Sequence, residues 1–393
     1  MIDTEYDVVV VGAGPGGSIT AKNCAERGMK TLMVEKRQMI GDPVRCAEGI
    51  AKHTVKKHIE PNPKWICAEA KGFRIFSPSG IKVEMVGEFG SGEVGYVLDR
   101  KLFDRALAHE AARSGATILV KTRATGLLIE DGKVCGVELE HLGKKFCVRA
   151  KVVVGADGVE SKVGRWAGMN TSLKPRDIET CAQALVYDPS ADQEFCEFYL
   201  GREIAPGGYA WIFPKGEGCA NVGLGILGSF SDAGAPFNYL NNFLKKYLPN
   251  AKILEIIVGG VPVSKPTDGI VGDGIVLVGD AARQSDPLTG GGIGNAMEAG
   301  AIAGEVVSEA ISEGDTSAER LREYEERWFK ERGKKLMRNW LVKEHIMSLS
   351  DEELDKLAKS IADVKFKGLQ LYELLKHLLR RNPKLLWKLK GYI

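Results

Sequence analysis

In YDVVVVGAGPGGSITAKNCAERGMKTLMVE, residues 6–35, a β-branched run from Tyr6 to Val11 gives way to six residues of which four are glycine. A helical pattern from Ser18 to Arg27 follows, then a second apolar run, Thr31 to Val34. Strand, glycine turn, helix and strand in this order read as a βαβ unit. Gly12, Gly14, Pro15, Gly16 and Gly17 fit the G-x-G-x-x-G pattern between the strand and the helix. Glycines there permit a tight turn and let backbone N–H groups and the positive end of the helix meet a pyrophosphate. Glu35 closes the second strand, 23 residues after Gly12. A carboxylate at that point accepts hydrogen bonds from a ribose hydroxyl pair, and its charge opposes a 2′-phosphate.

The remaining chain is long enough to surround this unit with more than one core. With 393 residues and 44% hydrophobic content, two domains, or one with a large insertion, are expected. No run of 18 uncharged apolar residues occurs, and the first residues enter a strand with no leader pattern, so the expected location is cytoplasmic. The eight cysteines form no C-x-x-C pair. Neither a zinc site nor a disulfide framework is expected, and most of them read as buried thiols. A net charge of +2 excludes a nucleic-acid binder working by bulk electrostatics. The charge is uneven: residues 365–393 carry eight Lys or Arg against one acid, Glu373.

Asp99 to Ser114 has helical periodicity, and residues 116–139 read as strands joined around a turn at Asp131-Gly132. Lys151 to Val154 is another apolar strand, ending in GADG. From Thr180 to Ser264 alternating strands are broken by Gly and Pro, with one helical stretch near Phe237 to Tyr247. Gly274 to Val278 restores a parallel-type strand, followed by a glycine-rich turn and a helix from Asn295 to Ser312; residues from Arg320 onward are mostly helical. The pattern describes a nucleotide-binding domain assembled from separated segments around an inserted antiparallel domain.

Two later motifs define the nucleotide. VVVGADGVESKVGRWAG at 152–168, with Asp157, and GIVLVGDAARQSDPLTGGGIGNAMEAG at 274–300, with Asp280, resemble the second and third signatures of the flavoprotein family that includes p-hydroxybenzoate hydroxylase and squalene epoxidase. The resemblance implies FAD as cofactor. It implies that Asp280 holds the ribityl chain and that Gly290 to Gly292 open a helix whose first N–H groups, at Gly292 and Ile293, face the pyrimidine end of the flavin. A helix N-terminus there would stabilise the negative charge of reduced flavin. Arg100 matches an arginine near the flavin phosphates, Ala124 a backbone position beside the adenine, and Asp157 belongs to the same cofactor set.

The chain further resembles the geranylgeranyl reductase family, the archaeal digeranylgeranylglycerophospholipid reductases in particular. The likeness rests on PVRCAEG at 43–49, GYAWIFPKGEGCANVGLG at 208–225 and DPLTGGGIGNAMEAG at 286–300. It implies an α/β protein with a Rossmann-type FAD-binding domain (1–179 and 265–319), an inserted antiparallel-sheet substrate domain (180–264) and a helical C-terminal region (320–393). The implied reaction saturates isoprenoid double bonds in geranylgeranyl ether lipids, with hydride from reduced FAD plus a proton. Tyr209, Trp211 and Phe213 share one face of a strand, as a core stripe or as the lining for a polyprenyl chain. Arg45, Cys46, Ala47 and Gly49 lie where the chain runs along the cofactor. Cys46 is then the candidate catalytic residue, as proton donor or flavin tuner, with a spacer as the plain alternative. An FAD-dependent monooxygenase of the same fold is the alternative activity; Arg283, where many hydroxylases carry histidine, weighs against it. No second glycine fingerprint is present, so the electron donor is external, NAD(P)H or reduced ferredoxin. The basic stretch from Lys365 reads either as a peripheral contact with the inner face of the membrane or as a solvated helix.

Overall fold

A computed structural model describes residues 3–86 and 95–364. The chain divides into two compact units, each stitched from three segments: residues 1–43, 100–172 and 265–336 in the first, 44–99, 173–264 and 337–393 in the second.

The first unit is built on an eight-stranded sheet. Its parallel part runs Ile275–Leu277, Lys144–Gly155, Glu5–Val11, Thr31–Val34, Thr117–Leu119, all paired in parallel register. Valines at 8, 9, 10, 152, 153 and 154 are fully buried, as a parallel strand covered on both faces requires. An antiparallel ribbon, Thr122–Glu130 and Lys133–His141, extends the long strand Lys144–Gly155. Its hairpin turns at Asp131 and Gly132, both with positive φ, where the Asp-Gly pair predicted it. Helix Pro15–Glu26 packs on helix Ile293–Glu313 through glycines. A Cβ at Gly300 would stand 2.5 Å from the Gly16 carbonyl oxygen, and one at Gly304 2.5 Å from the Asn23 Cβ, so the helices approach as closely as backbone allows.

The second unit holds a seven-stranded sheet in the order Lys252–Pro262, Ile178–Tyr187, Cys219–Leu227, Ala210–Gly216, Phe195–Tyr199, Gly72–Phe76, Lys82–Val86. All pairs are antiparallel except Phe195–Tyr199 with Gly72–Phe76. That parallel pair explains a difference from the expected boundaries. Residues 44–99 group with the seven-stranded sheet and not with the eight-stranded one, because Gly72–Phe76 extends the former. One face of the sheet is covered by helix Ala235–Tyr247, whose Leu240, Phe243 and Leu244 pack over Ala182, Ala184, Val222 and Leu224. The other face carries Phe73, Phe198, Tyr209, Trp211 and Phe213, with Ile361 of helix Asp351–Ile361 in the same cluster.

The cysteine expectation is corrected. None of the eight is joined in a disulfide, but Cys24 and Cys196 alone are buried; five are half-buried and Cys147 is exposed. Five of the six that are not buried stand on strands, where alternate positions face opposite sides and a sheet with a partly open face leaves one set of them accessible. Among the described residues no helix is long and apolar enough to cross a membrane. The basic stretch from Lys365 lies outside the described residues.

Candidate functional site: a nucleotide cradle and a glycine-floored sheet face

In the first unit the glycine turn has the geometry that its sequence demands. Gly12 adopts φ +109°, and a Cβ there would run into the Ala156 carbonyl oxygen, next to Asp157. The position of a Cβ on Gly14 meets nothing within 4 Å. Helix Pro15–Glu26 starts without a side-chain cap, so its first N–H groups remain available to an anion. Glu35 is oriented by the backbone: its carboxylate accepts from the N–H of Ala13 at 3.2 Å and of Arg37 at 3.0 Å. Each carboxylate oxygen keeps lone-pair capacity for further donors. The Thr122 N–H donates to the Glu35 carbonyl oxygen at 2.8 Å, which brings the strand carrying Ala124 to the same end of the sheet.

Asp157 accepts from the N–H groups of Lys162 and Val163 at 2.6 and 3.1 Å through Oδ2. Its Oδ1 is buried with no protein partner, and burial raises its pKa. Loss of water around the carboxyl of Asp280 pushes its pKa up to about 6, against the pull of Arg100. Arg100 is itself clamped by Asp104, Nε to Oδ1 at 2.9 Å and an Nη to Oδ2 at 2.7 Å. The Asp280 turn is fixed from behind: Tyr324 donates to the Leu277 carbonyl oxygen, Gln284 donates to the Tyr324 hydroxyl, and Gly279 N–H donates to Gln284. Asp280 Oδ1 lies 3.4 Å from the place of a Cβ on Gly292, the uncapped residue opening the helix that begins at Ile293. Two uncapped helix ends, a strand-end carboxylate fixed by two backbone N–H groups, a desolvated carboxyl at Asp280 and an orphaned carboxyl oxygen at Asp157 fit FAD. The sequence-derived residues Gly12, Gly14, Pro15, Gly16, Gly17, Glu35, Arg100, Ala124, Asp157, Asp280, Gly292 and Ile293 all fall in this unit.

Arg45, Cys46, Ala47, Gly49, Tyr209, Trp211 and Phe213 fall in the second unit. The Arg45–Gly49 segment is held over the sheet by side chains from three strands. Gln183 donates to the Cys46 carbonyl oxygen at 3.0 Å and accepts from the Trp211 indole N–H at 3.0 Å. Glu48, at positive φ, is buried against Lys215 at 2.7 Å and Asn221 at 2.5 Å. Burial alone would lower the Lys215 pKa, but Glu48 beside it holds it above the ordinary value. The same turn at Glu48 aims its backbone N–H at the sulfur of half-buried Cys46, 3.2 Å away. An N–H donated to sulfur stabilises the thiolate that remains when the proton leaves.

Trp211 and Phe213 are buried, Tyr209 half-buried, and Phe198 touches both Tyr209 and Phe213 with ring centroids 5.6 and 5.3 Å apart. Beside them the sheet is floored by glycine: a Cβ on Gly223 would strike the Trp211 ring, and one on Gly225 would stand 2.5 Å from Glu179 Oε2. Sequence reasoning missed Gln183, Lys215 and Asn221. The signal available was a lone amide in the otherwise apolar run CAQALV.

The fold and the cradle define a flavoprotein of the FAD-binding class. The description "FAD binding domain" matches residues 5–208, and "Geranylgeranyl reductase catalytic domain" matches residues 177–261. The chain is 58% identical over 98% of its length, and 95% of the relative's, to digeranylgeranylglycerophospholipid reductase 2 of Methanococcoides burtonii. It is 60% identical, with the same coverage, to the digeranylgeranylglycerophospholipid reductase of Methanosarcina acetivorans. A crystal structure of a geranylgeranyl bacteriochlorophyll reductase-like protein from Thermoplasma acidophilum superposes with a TM-score of 0.95 at 41% identity, covering 99% of each chain. The chain belongs to the digeranylgeranylglycerophospholipid reductase family. It is an FAD-dependent oxidoreductase, and the matches favour the reductase expectation over the monooxygenase.

Proposed function

We propose that this protein saturates double bonds in the geranylgeranyl chains of glycerol ether phospholipids, with Cys46 giving the proton and the open side of the aromatic and glycine face taking the prenyl chain. The observation that carries the reading is that face. Within the span matched by the catalytic domain that face carries Phe198, Tyr209, Trp211 and Phe213, of which Phe198 and Tyr209 are half-buried, an apolar wall of the kind a hydrocarbon chain packs on.

Bound and reduced FAD supplies the hydride for such a reaction. The protein must supply the rest. An isolated trisubstituted alkene has no carbonyl to polarise, so a proton has to arrive at one carbon as the hydride reaches the other, with water kept away from the developing tertiary cation. Cys46 Sγ is the proton's source, and the Glu48 N–H on that sulfur stabilises the thiolate left behind. Gln183 and the buried Glu48–Lys215 pair fix the segment so that the thiol keeps one position. In the first unit Glu35, Asp157, Asp280, Arg100 and the two helix ends hold the cofactor. The electron donor in this reading is an external nicotinamide or reduced ferredoxin, and the basic stretch from Lys365 supplies peripheral contact with anionic lipid.

The test is anaerobic mixing of dithionite-reduced protein with a geranylgeranyl ether lipid, reading flavin reoxidation and product mass together. Cys46→Ala is expected to keep FAD and reduce normally, yet reoxidise at least about tenfold more slowly with lipid, the low end for loss of a general acid. Reoxidation at the wild-type rate would remove the thiol from the chemistry.

A further inference from the structure

The mechanism above leaves Cys46 deprotonated after each reduction, and an isoprenoid chain has several double bonds to reduce. The second unit contains a buried acid that this chemistry has not used. Glu179 stands on strand Ile178–Tyr187, its residue only 7% exposed. Cys181 and Gln183 follow at the next two positions on the same face. Glu179 Oε2 and Cys181 Sγ lie 2.5 and 3.3 Å from the single point where a Cβ on Gly225 would stand, so the absent side chain at Gly225 lets them share one space. At the other end of the row Gln183 grips the Cys46 carbonyl oxygen. Between them Gly259, paired with Cys181, is covered by Arg45, whose Cβ would be 3.3 Å from a Cβ there. Carboxyl, thiol and the Cys46 backbone are thus ranged in order along one strand face.

We infer that Glu179 is the proton reservoir for Cys46, passing its proton along this face through the Cys181 thiol. The step balances without any further reactant. The Cys181 S–H gives its proton to the Cys46 thiolate and takes one from the Glu179 carboxyl; the sum is a protonated Cys46 and a Glu179 carboxylate, which water reprotonates before the next cycle. Nothing is oxidised or reduced. The inference rests on the reading of Cys46 as proton donor, and Glu179 acts through Cys46, not on the lipid.

The surroundings suit a carboxyl that must be protonated at rest and charged in passing. Gly208 and Gly225 bring no polar side chain to it, and a Cβ on Gly208 would sit 3.3 Å from the Glu179 Cδ. The charges facing it are Lys343, from helix Lys334–Ser348, and the titratable Cys181 on its own strand; the Arg45 side chain next to Cys181 is exposed. Burial pushes the Glu179 pKa up to about 7 against the pull of Lys343. Lys343 is anchored in place by donating to the Val263 carbonyl oxygen at 2.7 Å and pairs with the exposed Glu344 at 3.0 Å, so the cation that offsets a Glu179 carboxylate is shared with a solvated acid. The Cys181 thiol is raised well above its ordinary value by burial, and further by Glu179 and Cys46, which keeps it an S–H carrier and not a standing thiolate.

The experiment compares wild type, Glu179→Gln, Cys181→Ala, Cys181→Ser and Cys46→Ala, each FAD-loaded, reduced with dithionite and mixed anaerobically with geranylgeranyl ether lipid from pH 5.5 to 9. Wild type should lose rate above about pH 7, close to tenfold per pH unit, as Glu179 ionises. Glu179→Gln should be at least about tenfold slower at pH 6 and lack that limb, with flavin content and dithionite reduction unchanged. Cys181→Ala should be slowed likewise, and Cys181→Ser, which keeps an O–H to pass the proton, should recover most of the rate. A Glu179→Gln protein with the wild-type rate and pH limb overturns the relay. So does a slow Glu179→Gln beside a normal Cys46→Ala, because Glu179 would then act without Cys46. Absence of lipid-dependent reoxidation in wild type overturns the proposed function itself, and the relay with it.

Discussion

Glu179→Gln should change stability with a pH dependence that can be worked out beforehand. Burial raises this carboxyl from 4.5 to about 7, and the sign follows from which state holds the proton. Below pH 4.5 both folded and unfolded chains carry it protonated, so there is no penalty. Between 4.5 and 7 the unfolded chain ionises while the folded one does not, and stability falls as pH rises. Above 7 the penalty is complete. At about 1.36 kcal/mol per tenfold change in proton affinity, the folded state loses under about 1 kcal/mol at pH 5 and about 3 kcal/mol at pH 8. Glutamine at 179 cannot ionise and carries none of this cost. For a folding unit of about 200 residues each kcal/mol corresponds to roughly 2–4 °C. The variant should therefore melt about 6 °C or more above wild type at pH 8, and within a few degrees of it at pH 5. Thermal melts of both FAD-loaded proteins across that range measure it directly. A difference that stays flat from pH 5 to 8 would show that Glu179 titrates as an ordinary carboxylate, and the argument from burial would fail.

Lys215→Met should be costly, because it strands the buried Glu48 carboxylate with Asn221 as its remaining partner of the two; a loss of about 3–5 kcal/mol is expected, seen as a lower Tm and largely restored by adding Glu48→Gln. Gly12→Ala should yield protein with at least about tenfold weaker FAD binding, since the new Cβ meets the Ala156 carbonyl oxygen at a positive φ; a variant that purifies with a full complement of flavin would contradict the turn's assigned role.

The nucleotide-binding half was legible because its determinants are local. The turn at 12–17, Glu35 and the Asp131-Gly132 hairpin each announce themselves within a few residues, through φ requirements and strand periodicity. Asp280 and Gly292 were legible through motif likeness, and the structure adds why they belong together: the Asp280 Oδ1 lies against the bare backbone of Gly292. Non-local pairings were not legible. That Gly72–Phe76 joins Phe195–Tyr199 in parallel depends on register across a long separation, which no window of sequence displays. Glu179 and Gln183 were invisible for a related reason. In ETCAQALV alternation predicts which residues share a face, but not that glycines on the neighbouring strand leave the carboxyl desolvated. The same limit applied to the aromatic stripe: its periodicity was plain, whereas the burial of Trp211 and Phe213 beside a half-buried Tyr209 is a product of tertiary packing.

The threefold division of each unit along the chain has a consequence for biosynthesis. In the first unit, Val153 to Gly155 of the long central strand pair on one side with residues near the N-terminus and on the other with Ile275–Leu277. In the second, Gly72–Phe76 waits for Phe195–Tyr199. At ribosomal speeds that wait lasts on the order of 10 s, during which a β-rich edge with buried-type residues such as Phe73 stands open on the nascent chain. Any contiguous fragment that contains all of one unit also contains two of the three segments of the other. Neither half can be released early, expressed separately or recombined by simple domain exchange, and a nonsense mutation as late as residue 270 would remove strands from the first unit as well as the helical segment of the second.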